Sequence, residues 1–384
     1  MRADAAVPVA KAPDPRFWRG RRVFVTGHTG FKGSWLTLWL DALGAEVTGY
    51  ALEPPTVPSL YRQACGGAQA RSIIADVRDG GRLAAAVAEC APEVVIHMAA
   101  QSVVKRGYAE PIETYDVNVM GTVRLFEAVR RLESPCAVVN VTSDKCYAHR
   151  ADGRPYREDD AMGGDDPYAN SKGCAELVTT AYRASYFRPG TSDGDRVALA
   201  SARAGNAIGG GDWTAHQLIP DLVRNFAAGT PCRIRNPHGV RPWQFVLEPL
   251  RGYLALAEAL HGAPERFSGG WNFGPAEVDA RPVSWIADRL SAAWGGSASW
   301  VRDGTQHPPE AATLRLDVTK AARELGWHPV VSLPEALDWI VEWYRAWHGG
   351  EDLAAVTRAQ VARYAARLAG AAEGDTITMM GDRQ

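Results

Sequence analysis

The feature that most constrains the fold is a glycine-rich turn near the N-terminus. Gly27, Gly30 and Gly33 recur at three-residue spacing between the apolar run 23–26 and the helical segment 34–40. Glycine lets the backbone turn sharply and approach a pyrophosphate, which then lies at the positive end of the helix. A glycine triplet alone also fits a plain turn, but a strand before it and a helix after it favour a dinucleotide site. We predict cofactor contacts from Gly27, Thr29, Gly30, Phe31, Lys32 and Gly33.

Short apolar segments alternate with helical segments through the first half of the chain. Strands are predicted at residues 23–26, 46–51, 71–75, 93–98, 137–142 and 196–202, and long helices at 114–132 and 168–186. This alternation predicts an α/β fold with a doubly wound parallel sheet of the Rossmann type. We place the domain at residues 17–204 and expect 196–202 to close the sheet.

The remainder of the chain is broken by glycine- and proline-rich stretches, including Gly269-Gly270. Short elements of this kind predict a smaller substrate-binding lobe at residues 205–348. Residues 246–260 look helical and are expected to return to the sheet. Residues 349–384 should form a C-terminal helix, at 354–372, and a frayed tail.

Composition excludes several function classes. Lys+Arg and Asp+Glu number 42 and 44, and a net charge of −2 argues against nucleic acid or an anionic membrane as partner. The six cysteines form no CxxC and no Cys/His cluster, so we predict no metal site and reduced thiols. No apolar core of a signal peptide begins the chain, and no run of about 18 apolar residues occurs, which predicts a cytoplasmic protein.

Two polar groups are candidates for catalysis. Tyr168 and Lys172 are four residues apart on a predicted helix and therefore share a face. An ammonium close to a phenol lowers the pKa of the phenol toward that of a general base. The YxxxK pattern often occurs by chance, but this chain has only six lysines. Ser143, Asp144 and Lys145 follow a strand at the edge where ligands bind, although they could also be a turn cap and a solvated charge.

The nature of the dinucleotide depends on the residues that follow the second and third strands. Glu53 lies at the right sequence distance to bind ribose hydroxyls, or it lies past the site. No arginine directly follows the second strand to accept a 2′-phosphate, which favours NAD over NADP. Asp76 and Val77 either hold the adenine edge or cap an exposed helix.

With these motifs, the chain from about residue 17 to 344 resembles the extended short-chain dehydrogenases that act on nucleotide sugars. That family places Ser or Thr beside the sugar O4 together with YxxxK, which Ser143, Tyr168 and Lys172 match. Most hexose dehydratases continue with Asp-Glu, whereas Asp144-Lys145 is similar to the CDP-glucose 4,6-dehydratase branch. GHTGFKGSW, AGNAIGGGDW and RPWQFVLEP, at 27–35, 204–213 and 241–249, resemble the same branch.

The resemblance implies a mechanism. Tyr168 would accept the 4-hydroxyl proton while hydride passes from C4 to NAD, Lys145 would remove the C5 proton and Asp144 would protonate the C6 hydroxyl. NADH would then return hydride to C6, giving CDP-4-keto-6-deoxyglucose for deoxysugar biosynthesis. These roles require a protonated carboxyl and a neutral amine, and exclusion of water favours both.

The resemblance also implies further contacts. Ala99, Ala100, Gln101 and Ser102 would line the nicotinamide and the sugar, Asn118 would brace the site, Asn206 would contact the nucleotide phosphates, and Arg235 or Arg241 would pair with them. His97 is more typical of a satisfied core histidine than of a catalyst. Trp213, Trp243 and Trp271 would either stack on cytosine or pack in the core.

Alternative functions remain open from sequence. A nucleotide-sugar 4-epimerase shares Tyr168 and Lys172 but needs no acid-base pair such as Asp144-Lys145. A dehydratase of another nucleotide hexose and a non-catalytic NAD-binding regulator use the same fold. The nucleotide base is not fixed by any physical argument from sequence. The helices at 114–132 and 168–186 resemble those of a dimeric four-helix interface, so a homodimer is expected.

Overall fold

Strands and helices alternate through the chain, whose computed structural model describes residues 11–188, 196–304 and 314–381. The strands are β1 Arg22–Thr26, β2 Glu46–Ala51, β3 Ala70–Ile74, β4 Val94–His97, β5 Cys136–Val141, β6 Val197–Ala204, β7 Ala207–Ile208, β8 Cys232–Ile234, β9 Val240–Pro242, β10 Gln244–Phe245, β11 Gly269–Phe273, β12 Ala280–Pro282 and β13 Trp300–Arg302. The predicted lack of an apolar leader concerns residues 1–20, of which residues 1–10 lie outside the described residues.

Helices cover both faces of the sheet and recur through the second half of the chain. They are α1 Pro15–Trp18, α2 Phe31–Ala42, α3 Leu60–Ala64, α4 Gly80–Cys90, α5 Val104–Ala109, α6 Pro111–Tyr115, α7 Gly121–Val129, α8 Pro167–Ser185, α9 Leu218–Ala227, α10 Leu247–Gly262, α11 Pro264–Phe267, α12 Val283–Trp294, α13 Thr319–Leu325, α14 Leu333–Gly349 and α15 Leu353–Gly381. A π-helical turn, Asp116–Met120, joins α6 to α7. No helix in the described part of the chain is both long enough and apolar enough to cross a bilayer.

The central sheet has seven strands in the order β11-β6-β5-β4-β1-β2-β3. Every neighbouring pair is parallel, which confirms the predicted doubly wound α/β fold. After β3 the chain crosses to the other side of β1 and forms β4, so the strand order reverses there. Ligands bind in the crevice at such a reversal, outside the carboxyl ends of the strands.

Side chains of β1 alternate between two cores. Val23 and Val25 pack into the core on one face of the sheet, whereas Phe24 packs into the core on the other face. All three are fully buried, as expected for a strand with helices on both sides. Thr26, the last residue of β1, pairs with Tyr50 and His97 on the neighbouring strands. The glycine turn therefore begins at the centre of the sheet.

The prediction that residues 196–202 close the sheet is wrong. Strand β6 pairs with β5 on one side and with β11 on the other, so β11 forms the edge. The glycines that suggested a break in the chain open this strand instead. A Cβ at Gly270 would lie 2.5 Å from Nη2 of Arg203, so glycine makes room for that guanidinium.

Segments from the second half of the chain return to the sheet. Helix α10 packs against β5 and β6, and Leu250, Tyr253 and Leu254 on it are fully buried. Helix α15 packs on α14, α2 and α3 and begins at Leu353. Its backbone continues as helix to Gly381, beyond the predicted end at 372 and into the segment that we expected to be frayed. Residues 382–384 lie outside the described residues.

One carboxyl of α10 holds the N-terminal helix in place. Oε1 of Glu258 accepts hydrogen bonds from the backbone N–H of Asp14 at 2.9 Å and from Nε1 of Trp18 at 2.6 Å. Burial raises the pKa of Glu258 to about 7. Since the pKa in the folded state lies above the ordinary value, folding favours the protonated form.

We predict that Glu258→Gln removes a pH dependence of stability. The stability that the neutral carboxyl contributes is present below about pH 4.5 and is lost as the pH rises toward 7. Glutamine keeps the oxygen that accepts both hydrogen bonds and never ionises. The variant should match the parent at low pH. Above pH 7 it should have a higher melting temperature, which corresponds to at most about 3 kcal/mol more free energy of unfolding. A difference in melting temperature that is constant from pH 4 to 8 would contradict this.

Candidate active site

The glycine turn is packed so tightly that two of its glycines leave no room for a side chain. Gly27 has a φ of 77°, and a Cβ there would lie 2.8 Å from the backbone nitrogen of Ala99. A Cβ at Gly33 would lie 2.1 Å from the carbonyl oxygen of Gly27. Helix α2 begins after Gly30, which supplies no side-chain cap. The first N–H groups of α2 are therefore available to an anion, as a dinucleotide site requires.

The other side chains of the turn interact with different parts of the protein. Oγ1 of Thr29 donates to the carbonyl oxygen of Leu52 at 2.8 Å and ties the turn to the end of β2. The ring of Phe31 lies against Gly209. Burial lowers the pKa of Lys32 to about 8; the charge of Asp144 opposes this shift and that of Lys145 adds to it. Lys32 thus extends from the cofactor turn toward the catalytic candidates.

Two carboxylates follow β2 and β3, and each is paired with an arginine. Oε2 of the exposed Glu53 accepts from Nη2 of Arg62 at 2.9 Å. Arg62 belongs to α3, nine residues after Glu53, which is why the search for an arginine directly after the strand missed it. Asp76 accepts from the backbone N–H of Arg78 at 2.8 Å and from its Nη2 at 2.6 Å, and this hydrogen bonding lowers the pKa of Asp76. Val77 beside it is buried.

Asn118 joins the loop after β4 to helix α8. Its Oδ1 accepts from the N–H of Gln101 at 2.9 Å, and its Nδ2 donates to the carbonyl of Gln101 at 3.0 Å and to Oγ of Ser171 at 2.9 Å. Asn118 lies in the π-helical turn, a distortion that is common at functional sites. Ala99 is fixed to β1 by a hydrogen bond to Oγ1 of Thr26. The loop 99–102 is therefore held on two sides.

Gln101 and Ser102 differ in their availability to a ligand. The side chain of Gln101 is engaged within the protein, because Nε2 donates to Oγ1 of Thr114 at 3.0 Å and Oε1 accepts from the N–H of Val103 at 2.6 Å. Ser102 is exposed, and Ala100, which precedes Gln101 on the same loop, is half-buried. His97 is a core residue: its Nδ1 contacts Oγ1 of Thr26 at 2.6 Å and its Nε2 contacts Oγ1 of Thr122 at 3.2 Å.

The catalytic candidates from β5 and α8 lie together. Oδ1 of Asp144 accepts from Oγ of Ser143 at 3.1 Å and from Nζ of Lys145 at 3.2 Å. Tyr168 forms a hydrogen bond with Ser143. Asp166 caps α8 by accepting from the N–H of Tyr168 at 2.9 Å, so the tyrosine lies in the first turn of the helix. The end of β5 and the start of α8 thus form one polar cluster.

The charges around Tyr168 differ from the expectation. Burial raises the pKa of the Tyr168 phenol, and the charge of Lys145 and the hydrogen bond with Ser143 oppose that increase. We expected Lys172 to supply the nearby charge. Nζ of Lys172 instead donates to the carbonyl of Val141 at 3.4 Å, and burial together with the charge of Lys32 lowers the pKa of Lys172 to about 8.

Asp144 and Lys145 form an ion pair instead of the neutral pair that we expected. Burial alone would lower the pKa of Lys145, but the charges of Asp144 and Tyr168 outweigh it and raise that pKa. The side chain of Asp144 is 3% exposed and that of Lys145 is 32% exposed. At this site the effect of burial on the Lys145 amine is outweighed by the combined effect of the Asp144 charge, the Tyr168 charge and the hydrogen bond with Asp144, so the charged form is favoured.

Only some of the substrate-binding candidates from the second half of the chain lie near the catalytic cluster. Nδ2 of Asn206 donates to Oδ2 of Asp144 at 3.2 Å. The charge of Arg241 disfavours the charged form of Lys145, so the guanidinium lies within electrostatic range of that lysine. Arg235 is exposed after β8, and its charge acts on Asp221 of α9. The three tryptophans proposed for base stacking or the core are all buried: Trp213, Trp243 and Trp271.

Sequence reasoning missed a buried ion pair behind the catalytic loop. Nη2 of Arg203 and Oε2 of Glu176 are 2.8 Å apart, and both side chains are almost fully buried. Glu176 also accepts from Oγ1 of Thr142 at 2.5 Å, and Nη1 of Arg203 donates to the hydroxyl of Tyr147 at 2.8 Å. Glu176 is four residues after Lys172 on α8, so the helical period that linked Tyr168 to Lys172 also indicated Glu176.

This arrangement combines several chemical capacities at one edge of the sheet. The Tyr168–Ser143 pair can take a proton from a hydroxyl group. The Asp144–Lys145 pair can supply one proton and accept another within a few ångströms. The glycine turn and α2 can hold a pyrophosphate beside both pairs.

The sequence matches a known protein family over most of its length. The family model for GDP-mannose 4,6 dehydratase matches residues 24–265. The CDP-glucose 4,6-dehydratase of Salmonella typhimurium is 52% identical over 351 residues, which cover 91% of this chain and 98% of that protein. The UDP-glucose 4-epimerase of Mycolicibacterium smegmatis is 30% identical over 84% of this chain and 98% of that protein.

Solved structures share the fold. The dTDP-glucose 4,6-dehydratase of Streptomyces venezuelae, with NAD and TYD bound, is 27% identical with a TM-score of 0.68, covering 86% of this chain and 99% of that one. The UDP-glucose 4-epimerase of Thermotoga maritima, with UDP-glucose, has a TM-score of 0.71 at 22% identity, covering 84% and 98%, and indicates the fold alone.

Proposed function

Because the chain belongs to the GDP-mannose 4,6-dehydratase family, we propose that it is an NAD-dependent 4,6-dehydratase acting on CDP-glucose. The observation that carries this proposal is the Asp144–Lys145 pair beside Ser143 and Tyr168. An epimerase moves only the hydrogen at C4 and has no use for a second acid-base pair. The 52% identity to a CDP-glucose 4,6-dehydratase over almost its whole length supports the choice of nucleotide.

The glycine turn fits NAD. Gly27 and Gly33 leave no side chain between the backbone and a pyrophosphate, and the start of α2 lacks a side-chain cap. We propose that Asp76 and Val77 contact the adenine and that Ala99, Ala100, Tyr168 and Lys172 line the nicotinamide. When bound, NAD would accept hydride from C4 of the sugar and return it to C6.

Tyr168 begins the reaction by taking the proton of the 4-hydroxyl group. Its hydrogen bond with Ser143 and the charge of Lys145 favour the phenolate, while burial disfavours it. Ser143 can donate to the same sugar oxygen once the substrate is bound. The resulting 4-ketone acidifies the C5 proton, which prepares the sugar for elimination.

Asp144 and Lys145 carry out the elimination after one internal proton shift. Moving a proton from Nζ of Lys145 to Oδ1 of Asp144, 3.2 Å away, converts the ion pair into a neutral amine and a protonated carboxyl. The amine then takes the C5 proton, and the carboxyl protonates the C6 hydroxyl, which leaves as water. Both residues end this step in the charged forms with which they began. The ion pair is therefore the resting form, and the neutral pair is the form that reacts.

The nucleotide would lie against the predicted substrate-binding lobe, residues 205–348. We propose that Arg241 pairs with the diphosphate, since its guanidinium already acts on Lys145. Arg235, which is exposed after β8, is the second candidate. The phosphates would then lie beside the catalytic cluster, with the hexose between them and the nicotinamide.

We further propose a homodimer in the cytoplasm. Ile112 and Met120 are exposed on the helical segment from Pro111 to Val129, and Leu177 is exposed on α8. Ala181 and Ala184 continue the exposed face of α8. Two such helices from each copy would bury these groups in a four-helix interface. All six cysteines are free thiols, which supports a reducing compartment.

The substrate is tested with a panel of nucleotide hexoses. We predict that CDP-glucose loses one water and leaves no stoichiometric reduced nicotinamide, because the same hydride is returned in each turnover. Mass spectrometry follows the loss of water from CDP-, UDP-, GDP- and dTDP-hexoses under identical conditions. At least tenfold higher kcat/KM with another nucleotide hexose would overturn the CDP assignment and leave the dehydratase class intact.

Two substitutions separate oxidation from elimination. Tyr168→Phe removes the base for the first step, so product formation should fall by about 10²–10⁴-fold and no reduced nicotinamide should be seen. Lys145→Met keeps the aliphatic stem but removes the amine, so oxidation proceeds and C5 deprotonation stalls. Reduced-nicotinamide absorbance should then persist in a single turnover, with little exchange of C5–H in deuterated water.

The control for Lys145→Met is Lys11→Met, a change at an exposed lysine before α1. It should react like the parent protein. Parental rates of C5–H exchange and water loss in Lys145→Met would show that Lys145 is not the base.

A further inference from the structure

Asn206 has an unusual backbone conformation directly after β6. Its φ is 47°, and among the described residues only Ala91 and His216 are other non-glycine residues with positive φ. Left-handed backbone disfavours most side chains, although asparagine tolerates it better than most, and it persists where the surrounding structure enforces it. Such residues cluster at functional sites.

Gln244 holds the Gly205–Asn206 segment. The backbone N–H of Gln244 donates to the carbonyl of Asn206 at 3.2 Å, and its Nε2 donates to the carbonyl of Gly205 at 2.7 Å. Gln244 is buried and lies on β10, which pairs with β7. A residue of the RPWQFVLEP block, 241–249, therefore fixes the backbone that presents the Asn206 side chain.

The side chain so presented reaches the proposed acid. Nδ2 of Asn206 donates to Oδ2 of Asp144 at 3.2 Å, while Oδ1 is bound by Ser143 and Lys145. Gly205 completes the enclosure, because a Cβ there would lie 2.0 Å from Oδ2 of Asp144. The carboxyl group therefore occupies the space in which any side chain at Gly205 would begin.

We propose that Asn206 is a positioning residue that holds the Asp144 carboxyl for proton transfer to the C6 hydroxyl. This proposal rests on the proposed 4,6-dehydratase activity. By binding Oδ2, the amide directs Oδ1 toward Nζ of Lys145, from which it receives its proton. Without the amide the carboxyl can rotate about its Cβ–Cγ bond, and the alignment of the pair is lost. The resemblance suggested a different role for Asn206, as a contact of the nucleotide phosphates.

Asn206→Gly tests the proposal without straining the backbone, because glycine adopts the left-handed conformation readily. We expect kcat for water loss to fall by about 10- to 100-fold, less than for complete loss of an acid. KM for CDP-glucose should change by less than about threefold. In a single turnover in deuterated water, C5–H exchange should slow together with water loss, because Lys145 becomes a neutral base only by passing its proton to Asp144. Oxidation at C4, followed by the absorbance of reduced nicotinamide, should proceed at the parental rate.

Asn206→Asp gives a readout that a purely structural role would not move. Aspartate also tolerates the left-handed conformation, but it places a second carboxylate against Asp144. A like charge and the loss of a donor both raise the pKa of a carboxyl. The limb of the kcat profile that reports the acid should therefore move to higher pH, by about one unit or more, and by less in Asn206→Gly.

Ala91→Gly is the matched control. Like Asn206, Ala91 is a non-glycine residue with left-handed backbone, which glycine adopts without strain. It lies at the amino-terminal ends of the strands, just before β4, and so away from the active site. Its kcat, KM and pH profile should equal those of the parent. A tenfold rise in KM for Asn206→Gly, with kcat and the pH profile unchanged, would assign Asn206 to the phosphates and overturn the proposal. The proposed function fails separately, if the parent protein dehydrates no nucleotide hexose.

Discussion

The parallel pairing of β1 with both β2 and β4 determines where the cofactor turn and the catalytic cluster of this protein lie. Parallel pairing directs all carboxyl ends to one edge of the sheet, and the reversal of strand order beside β1 opens a crevice there. The glycine turn follows β1, the Ser143–Lys145 segment follows β5, and Asn206 follows β6. Residues distant in sequence meet at this edge because the strands that carry them are neighbours.

The catalytic cluster also depends on buried charge. Arg203 and Glu176 connect β6 to α8 beneath the catalytic loop, and Tyr147 and Thr142 hydrogen-bond to them from the segment around Ser143. Removing one member of a buried pair typically costs about 3–5 kcal/mol because an uncompensated charge remains. The pair fixes the end of β5 relative to the helix that bears Tyr168 and Lys172. The distances within the cluster therefore depend on residues that touch neither cofactor nor substrate.

Local patterns in the sequence sufficed for the doubly wound parallel sheet, the glycine turn and the YxxxK helix, because each is specified by neighbouring residues. Edge strand β11 was not predictable in this way: its glycines indicate a turn locally, and only the guanidinium of Arg203 explains them. Charge states and salt bridges could not be predicted from local sequence either. The charged state of Lys145 follows from a carboxylate 3.2 Å away, and the salt bridge of Glu53 with Arg62 follows from the position of α3.

The central claim is that one hydrogen migrates from C4 to C6 within a single sugar while Asp144 and Lys145 remove water. The most direct measurement is turnover of CDP-glucose carrying deuterium at C4, with the product examined by NMR. The account predicts that the deuterium is found at C6 of a 4-keto-6-deoxy sugar and that hydrogen from solvent is found at C5. Deuterium that remains at C4, or that is lost to solvent, would contradict the account.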